Sequence, residues 1–185
     1  MADRLRPWPE NSPGVVNPWL LMVTSKPPAW RDELVGWPEE GLTAGRPHEG
    51  FFYPDPLGFW AQVRKWAVTV VSAAGTAESI PDALAVTTVV HLGHDPGGIG
   101  PTLEVLEPRV VLFLDEPAWE SAGMTVEDVR PLVVPDPFRP GQAYNGFWGS
   151  GPNGMTVGKA PQHPAAHNLY RWPDMERYLG RVPLT

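Results

Sequence analysis

The chain has 185 residues, of which 42% are hydrophobic, and its formal net charge is −7. This length predicts one domain with a sizeable core, and no apolar run is long enough to span a membrane. The absence of cysteine excludes disulfides, iron–sulfur clusters and thiol catalysis. An acidic chain is a poor candidate for non-specific, charge-driven DNA binding. A small basic cleft on an acidic protein is still compatible with this net charge. The N-terminus "MADRLRPWPENSPG" has no apolar signal region, so we expect a cytoplasmic protein.

The predicted elements alternate between strands and helices along the chain. Residues 1–16 are predicted to be an irregular arm, and residues 17–185 a single domain. Strands are predicted within Asn17–Ser25, Ala83–Gly93, Arg109–Asp115 and residues 154–164, with a shorter one in "PLVVPDPF". Helices are predicted over Asp55–Gly75, around "GIGPTLEVLEP", and in "WPDMERYLGRV", with helical turns in "EPAWESAG" and "TVEDVRP". Nearly continuous apolar strands between helices are typical of an α/β fold with a buried parallel sheet.

In such folds ligands bind outside the carboxyl ends of the strands. Four segments of this chain follow predicted strands and are rich in polar residues and proline. They read "TSKPPA", "HLGHDPGG", "LDEPAW" and "APQHPAAHN". The sequence therefore predicts that a site is built from these four loops.

The two histidines of the last loop raise the question of a metal site. His163 and His167 are four residues apart, a spacing that puts zinc ligands on one face of a helix. Pro164 directly follows His163 and favours extended geometry there, which separates the two side chains. A third ligand would have to come from His91, His94 or Asp95. No metal or other cofactor is therefore expected.

Two other kinds of site are weakly supported. "GHDPGGIG" is rich in glycine and precedes a predicted helix, so its backbone N–H groups could meet a phosphate, but it lacks the lysine of a phosphate-binding loop. A Ser-His-Asp hydrolase is disfavoured because the chain has no Gly-x-Ser-x-Gly turn.

The four loops taken together resemble those of the uracil-DNA glycosylase superfamily. The closest local match is "HPAAHNLYR", which is similar to that superfamily's His-Pro-Ser-Pro-Leu-Ser loop, continued in one branch by Val/Tyr-Arg. Here His163, Pro164, Tyr170 and Arg171 match. "VTTVVHLGHDPGG", "LEPRVVLFLDEPAW" and "FFYPDPLGFWAQVRKW" resemble further segments, so short matches are scattered over most of residues 17–180. The resemblance implies a three-layer α/β/α fold with a central parallel four-stranded sheet.

The resemblance also implies base flipping followed by hydrolysis of the N-glycosidic bond of uracil or a modified pyrimidine in DNA. His163 corresponds to the histidine that stabilises negative charge on the leaving base. One of Phe51, Phe52 or Tyr53 would stack on the base, unless these aromatics only anchor a long loop. Thr88 stands where the family has an asparagine that reads the base edge.

The water-orienting residue is the main departure from the family pattern. The first loop reads Thr24-Ser25-Lys26-Pro27, without the expected acid or asparagine, so Ser25 would orient water only weakly. Asp95 in "GHDPGG" is the preferred substitute, and its alternative role is to form a turn. Asp115 is a further carboxylate at the end of a strand, and its alternative role is to cap the following turn.

The expected partner is single- or double-stranded DNA with a flipped base, bound by a monomer and without a membrane. Contacts to the DNA strand are assigned by the resemblance and the neighbouring sequence to His167, Asn168, Arg171 and Lys26. The alternative hypothesis keeps the fold but not the chemistry, because Ser25 and Thr88 replace two key family residues. The protein would then bind a nucleotide, a modified base or a protein partner, and hydrolysis of a free nucleoside or nucleotide is a further option.

Overall fold

The structure is a computed structural model, and it describes residues 18–25, 59–73, 83, 86–91, 99–136, 138–164 and 174–183. The strands are β1 (Leu20–Thr24), β2 (Thr87–His91), β3 (Val110–Phe113), β4 (Glu127–Pro135), β5 (Ala143–Ser150) and β6 (Thr156–Lys159). The helices are α1 (Phe59–Ala73), α2 (Gly100–Leu106), α3 (Glu116–Ala122) and α4 (Asp174–Leu179), with a 3-10 turn at Pro152–Gly154. The predicted N-terminal arm lies outside the described residues.

The strands form one mixed sheet in the order β2-β1-β3-β6-β5-β4. β2, β1, β3 and β6 run parallel to one another. β5 is antiparallel to both β6 and β4. The α/β class and the four predicted parallel strands are confirmed. The predicted strand number is wrong, because a β4–β5 hairpin extends the sheet to six strands.

The hairpin also corrects the prediction of helical turns in "TVEDVRP". β4 begins at Glu127 within that segment, and in its second half buried and exposed residues alternate, as expected for a strand with one covered face. The buried residues Leu132 and Val134 belong to the core. β5 was not predicted as a strand. It is held by pairing on both sides and by the fully buried Trp148.

Alternate residues of the parallel strands enter two separate hydrophobic clusters. One cluster joins Leu20, Met22 and Leu112 with α1 and with Leu179 of α4. The other joins Leu21, Val23 and Val111 with α2 and α3. Because side chains alternate along a strand, the two clusters lie on opposite faces of the sheet. Helices therefore cover both faces, which leaves the ends of the strands for a site.

Strand register places the carboxyl ends of the parallel strands side by side. Thr24 of β1 pairs with His91 of β2, and Val23 pairs with Phe113 of β3. Phe113 in turn pairs with Lys159, the last residue of β6. We call this edge, together with the residues that directly follow it, the carboxyl rim. The predicted loops after β1, β3 and β6 start from this rim.

The turn of the hairpin lies at the same end of the sheet as the carboxyl rim. Phe147 of β5 is level with Lys159, and β5 runs opposite to β6. The earlier residues of β5 and the end of β4 therefore extend past the rim, with Pro135 paired to Ala143. Residues 136 and 138–142, which we call the hairpin tip, stand about four residues, or roughly 14 Å, beyond it.

Within the part of the chain that the structure describes, no helix is long and apolar enough to cross a membrane.

Candidate functional site

Asp115 connects the loop after β3 to the loop after β1. Its Oδ2 accepts hydrogen bonds from the Thr24 hydroxyl at 2.8 Å and from the Ser25 backbone N–H at 2.9 Å. Its Oδ1 accepts the Ala118 backbone N–H at 2.8 Å and so caps the N-terminus of α3. The side chain is only 7% exposed. A buried carboxylate with three donors around it is held in one position.

The position of this contact in the sheet favours a ligand site. In the sheet, β1 lies between β2 and β3. The strand that follows β1 in the chain, β2, lies on one side of the β1–β3 pair, whereas the strands that follow β3 in the chain all lie on the other side. The connections that follow β1 and β3 therefore diverge, and a crevice is expected where they separate. Thr24, Ser25 and Asp115 lie at this switch point.

His163 joins the same group from the loop after β6. Its Nε2 lies 3.8 Å from Oδ2 of Asp115, which is an ion-pair distance but too long for a direct hydrogen bond. The imidazole is 27% exposed, so it is accessible to a small ligand while standing beside a buried carboxylate. A carboxylate near one ring nitrogen favours a proton on that nitrogen. Asp115 is therefore placed beside this nitrogen of the His163 ring.

A second ion pair lies next to the first. Lys159, at the end of β6, pairs through its Nζ with the Oε2 of Glu116, the residue that follows Asp115. The lysine side chain is 11% exposed and the glutamate 55%, so a nearly buried ammonium is neutralised by a largely solvated carboxylate. This pair ties the end of β6 to the start of α3.

Gln162 contributes a buried acceptor beside His163. Its Oε1 is inaccessible to solvent and has no hydrogen-bond partner among the described residues. A buried carbonyl oxygen without a donor costs about 1–3 kcal/mol. Because the oxygen is closed to solvent, it is not exposed to a ligand at the rim.

Of the residues predicted from the sequence, the structure brings Ser25 and His163 together through Asp115. Thr88 lies in β2, where it pairs with Leu21, three residues before the rim residue His91, and its side chain is not described. The remaining predicted residues lie outside the described residues: Asp95, Phe52, Tyr53, Lys26, His167, Asn168 and Arg171. Their roles stay predictions.

Asp115 is the residue whose role was underestimated from sequence. Its position after an apolar strand and before Glu-Pro predicted a helix cap, and it is one. The same side chain also binds the first loop and faces His163. These partners are 48 to 91 positions away in the chain, so no local pattern indicates them.

Among the described residues there is no group of three His, Asp or Glu side chains that could hold a metal ion. Among the described residues, this site offers the partly exposed imidazole of His163 and the half-buried Ser25, next to the buried contact between Thr24 and Asp115.

No protein-family model matches this chain, and the comparisons with curated proteins and with solved structures also gave no match.

Proposed function

We propose that the protein is a divergent DNA glycosylase, with a fold of the uracil-DNA glycosylase type, that hydrolyses the N-glycosidic bond of a flipped uracil or modified pyrimidine. The observation that carries the proposal is the convergence of the first loop, the β3 loop and the His163 loop on one buried carboxylate at the switch point. The four parallel strands in the order β2-β1-β3-β6 support it, because they hold these loops side by side.

In this proposal His163 stabilises the negative charge that develops on the leaving base. One ring nitrogen faces Asp115, and the other donates to a base oxygen. A preorganised donor of this kind usually contributes about 2.7–4 kcal/mol to catalysis. Ser25, whose backbone N–H is bound by Asp115, orients water.

Asp115 acts as a positioning residue and not as the general base. Both of its oxygens already accept protein donors, and the side chain is buried. Glu116, the next carboxylate, is paired with Lys159. Asp115 is therefore closed to a water molecule, and Glu116, although largely solvated, is neutralised by Lys159.

That observation also favours the second candidate, a protein of the same architecture that binds a nucleotide or modified base without hydrolysing it. Binding needs the three loops at the carboxyl rim and the partly exposed His163 imidazole, but no carboxylate that orients water. The net charge of −7 further suits a small ligand better than a long polyanion.

Base release from defined oligonucleotides separates these candidates. We expect the full chain to release base from at least one DNA that contains uracil, 5-hydroxymethyluracil or a mismatch. Because His163 stabilises the leaving group, His163→Ala should lower kcat by about 10²–10³-fold and leave the thermal unfolding temperature nearly unchanged. No release from any of these DNAs, with free-base or nucleotide binding intact, would favour the binding protein. Release that is insensitive to His163→Ala would overturn the assigned role.

Asp115→Asn tests the positioning role. Asparagine presents one oxygen and one NH₂ group, so in either orientation its NH₂ faces a donor, at Ala118 or at Thr24 and Ser25. We expect kcat to fall about tenfold or more, equal to about 1.4 kcal/mol of transition-state stabilisation, with little change in KM. The ¹⁵N shifts of the His163 imidazole should change as well, and this readout does not depend on turnover.

Glu116→Gln is the matched control, because it neutralises the adjacent carboxylate and leaves the contacts of Asp115 in place. It should keep the wild-type kcat and the wild-type imidazole shifts. A purely structural role for Asp115 predicts instead that Asp115→Asn lowers the unfolding temperature while the kcat of the folded protein and the His163 signals stay unchanged.

A further inference from the structure

The hairpin tip is held in a fixed conformation by its own hydrogen bonds. Asp136 accepts the Phe138 backbone N–H at 2.8 Å and the Tyr144 hydroxyl at 3.0 Å. The Asp136 backbone N–H donates to the carbonyl of Gln142, and the Gln142 N–H donates to the carbonyl of Arg139. The last contact closes a turn through Pro140 and Gly141. Gly141 has φ of +85°, as the third residue of a type II turn requires.

The hydrogen bond between Asp136 and Tyr144 changes the pKa of the tyrosine. The hydrogen bond to Asp136, followed by burial and by the negative charge of the carboxylate, raises the pKa of the Tyr144 phenol above its ordinary value of 10.0. The phenol therefore stays protonated and donates to Asp136 throughout the physiological range. Asp136 itself is buried, so its carboxylate interacts with groups of the hairpin and not with solvent.

This rigid tip exposes an aromatic ring next to a cation. Phe138 is 52% exposed, and it is one of three large hydrophobic side chains that are exposed within the described residues. Arg139, the next residue, is also exposed. Leaving a large ring in water is unfavourable, and because the turn is already fixed, a partner that covers the ring does not have to order the backbone of the turn.

The hairpin that carries the tip adjoins the chain segment that leads to His163. A Cβ atom on Gly146, at the base of the hairpin, would lie 2.8 Å from the backbone nitrogen of Pro161. The strands carry the tip past the carboxyl rim, at the end of the sheet where the loop of His163 begins. The tip and the candidate site therefore lie at the same end of the sheet.

The edge of β4 makes strand addition by another protein a poor alternative. The Asp136 N–H points towards the β5 side of the hairpin, to the carbonyl of Gln142 just before β5. Backbone N–H groups alternate in direction along a strand, so the nitrogens of Pro135 and Pro131 face the open edge. Proline has no N–H, which leaves Val133 as the one donor between residues 131 and 135 on that edge. Edge prolines of this kind block pairing with a further strand.

We propose that the hairpin tip is a nucleic-acid contact in which Phe138 stacks on a base beside the flipped nucleotide and Arg139 binds an adjacent phosphate. This inference rests on the proposed function, because the site supplies the reason for DNA to lie on this rim. Aromatic rings bind unpaired or displaced bases by stacking, and an arginine beside the ring binds the backbone. Through Arg139 the acidic protein contacts a phosphate locally, without an extended basic surface.

The test measures binding of fluorescent duplexes that carry one mispaired or modified base, using the full chain and its variants. Phe138→Ala should weaken binding about five- to 100-fold, the loss expected for one base–aromatic stack. Arg139→Ala should reduce the slope of log affinity against log salt by about one. Val129→Ala is the matched control, because Val129 is 53% exposed but lies at the opposite end of β4, and it should bind as the wild type does.

The outcomes distinguish this inference from the proposed function. Binding that depends on Phe138 and Arg139 without any base release supports the tip as a nucleic-acid contact and overturns the glycosylase activity. No binding by the wild-type chain at low salt overturns the contact, as does equal binding by Phe138→Ala, Arg139→Ala and Val129→Ala. The exposed positions of both side chains keep the fold intact, which unfolding curves of each variant check.

Discussion

Gly146→Ala is expected to destabilise the protein by about 3 kcal/mol, which corresponds to a fall of about 6–12 °C in Tm for a chain of this size. A Cβ atom at this position would lie 2.3 Å from the carbonyl oxygen of Lys159 and 2.8 Å from the backbone nitrogen of Pro161. Both contacts are with backbone, which cannot rotate away as a side chain does. The end of β6 would have to shift to make room for the methyl group.

The same shift should reach the candidate site. His163 is two residues after Pro161, and its distance from Asp115 depends on the path of residues 159–161. We therefore expect Gly146→Ala to lose base release even at temperatures where it is folded. Gly100→Ala is the control, because a Cβ atom there meets nothing within 4 Å and alanine favours a helix start as well as glycine does. Equal unfolding temperatures for the two variants would contradict the argument.

The parallel part of the fold could be predicted because its strands carry their own signal. "LLMVT", "TTVVH" and "VVLF" are short apolar runs bounded by turn residues, and strands of this kind are buried on both faces. β5, "AYNGFWGS", contains two glycines and an asparagine, which are poor strand formers. It is a strand because β4 and β6 pair with it, and such non-local pairing leaves no local pattern.

The candidate site was predictable only in part, for the same reason. His163 was identified from the residues around it, and the loop after β6 does lie at the carboxyl rim. The sequence favours Asp95 as the acid of the site, because "LGHDP" resembles the Gly-Gln-Asp-Pro loop of the family, and this stays a prediction because Asp95 lies outside the described residues. Within the described residues, Asp115 is a carboxylate that contacts the first loop. In this chain an acid from the end of β3 reaches the position beside Ser25, and only the parallel pairing of β1 with β3 brings the two together.

Gly158→Ala is the second substitution with a large expected effect. A Cβ atom on Gly158, in β6, would lie 2.3–2.9 Å from three atoms of the Trp148 indole ring on β5. Trp148 is completely buried, so the ring cannot swing into solvent. Overpacking at such a site costs about 1–3 kcal/mol, and we expect the upper end of that range because the two residues are paired across the sheet. Thermal or denaturant unfolding measures it.

A double-mutant cycle with Trp148→Phe tests whether the indole is the cause. Trp148→Phe alone should be destabilising because it leaves a cavity, although it also removes an indole N–H that is buried without an acceptor among the described residues. In the double variant the alanine methyl occupies space that the smaller ring has left. The combined loss should therefore be smaller than the sum of the two single losses, by about 1 kcal/mol or more. Strictly additive losses would mean that the strain in Gly158→Ala arises from the backbone of β6 and not from the ring.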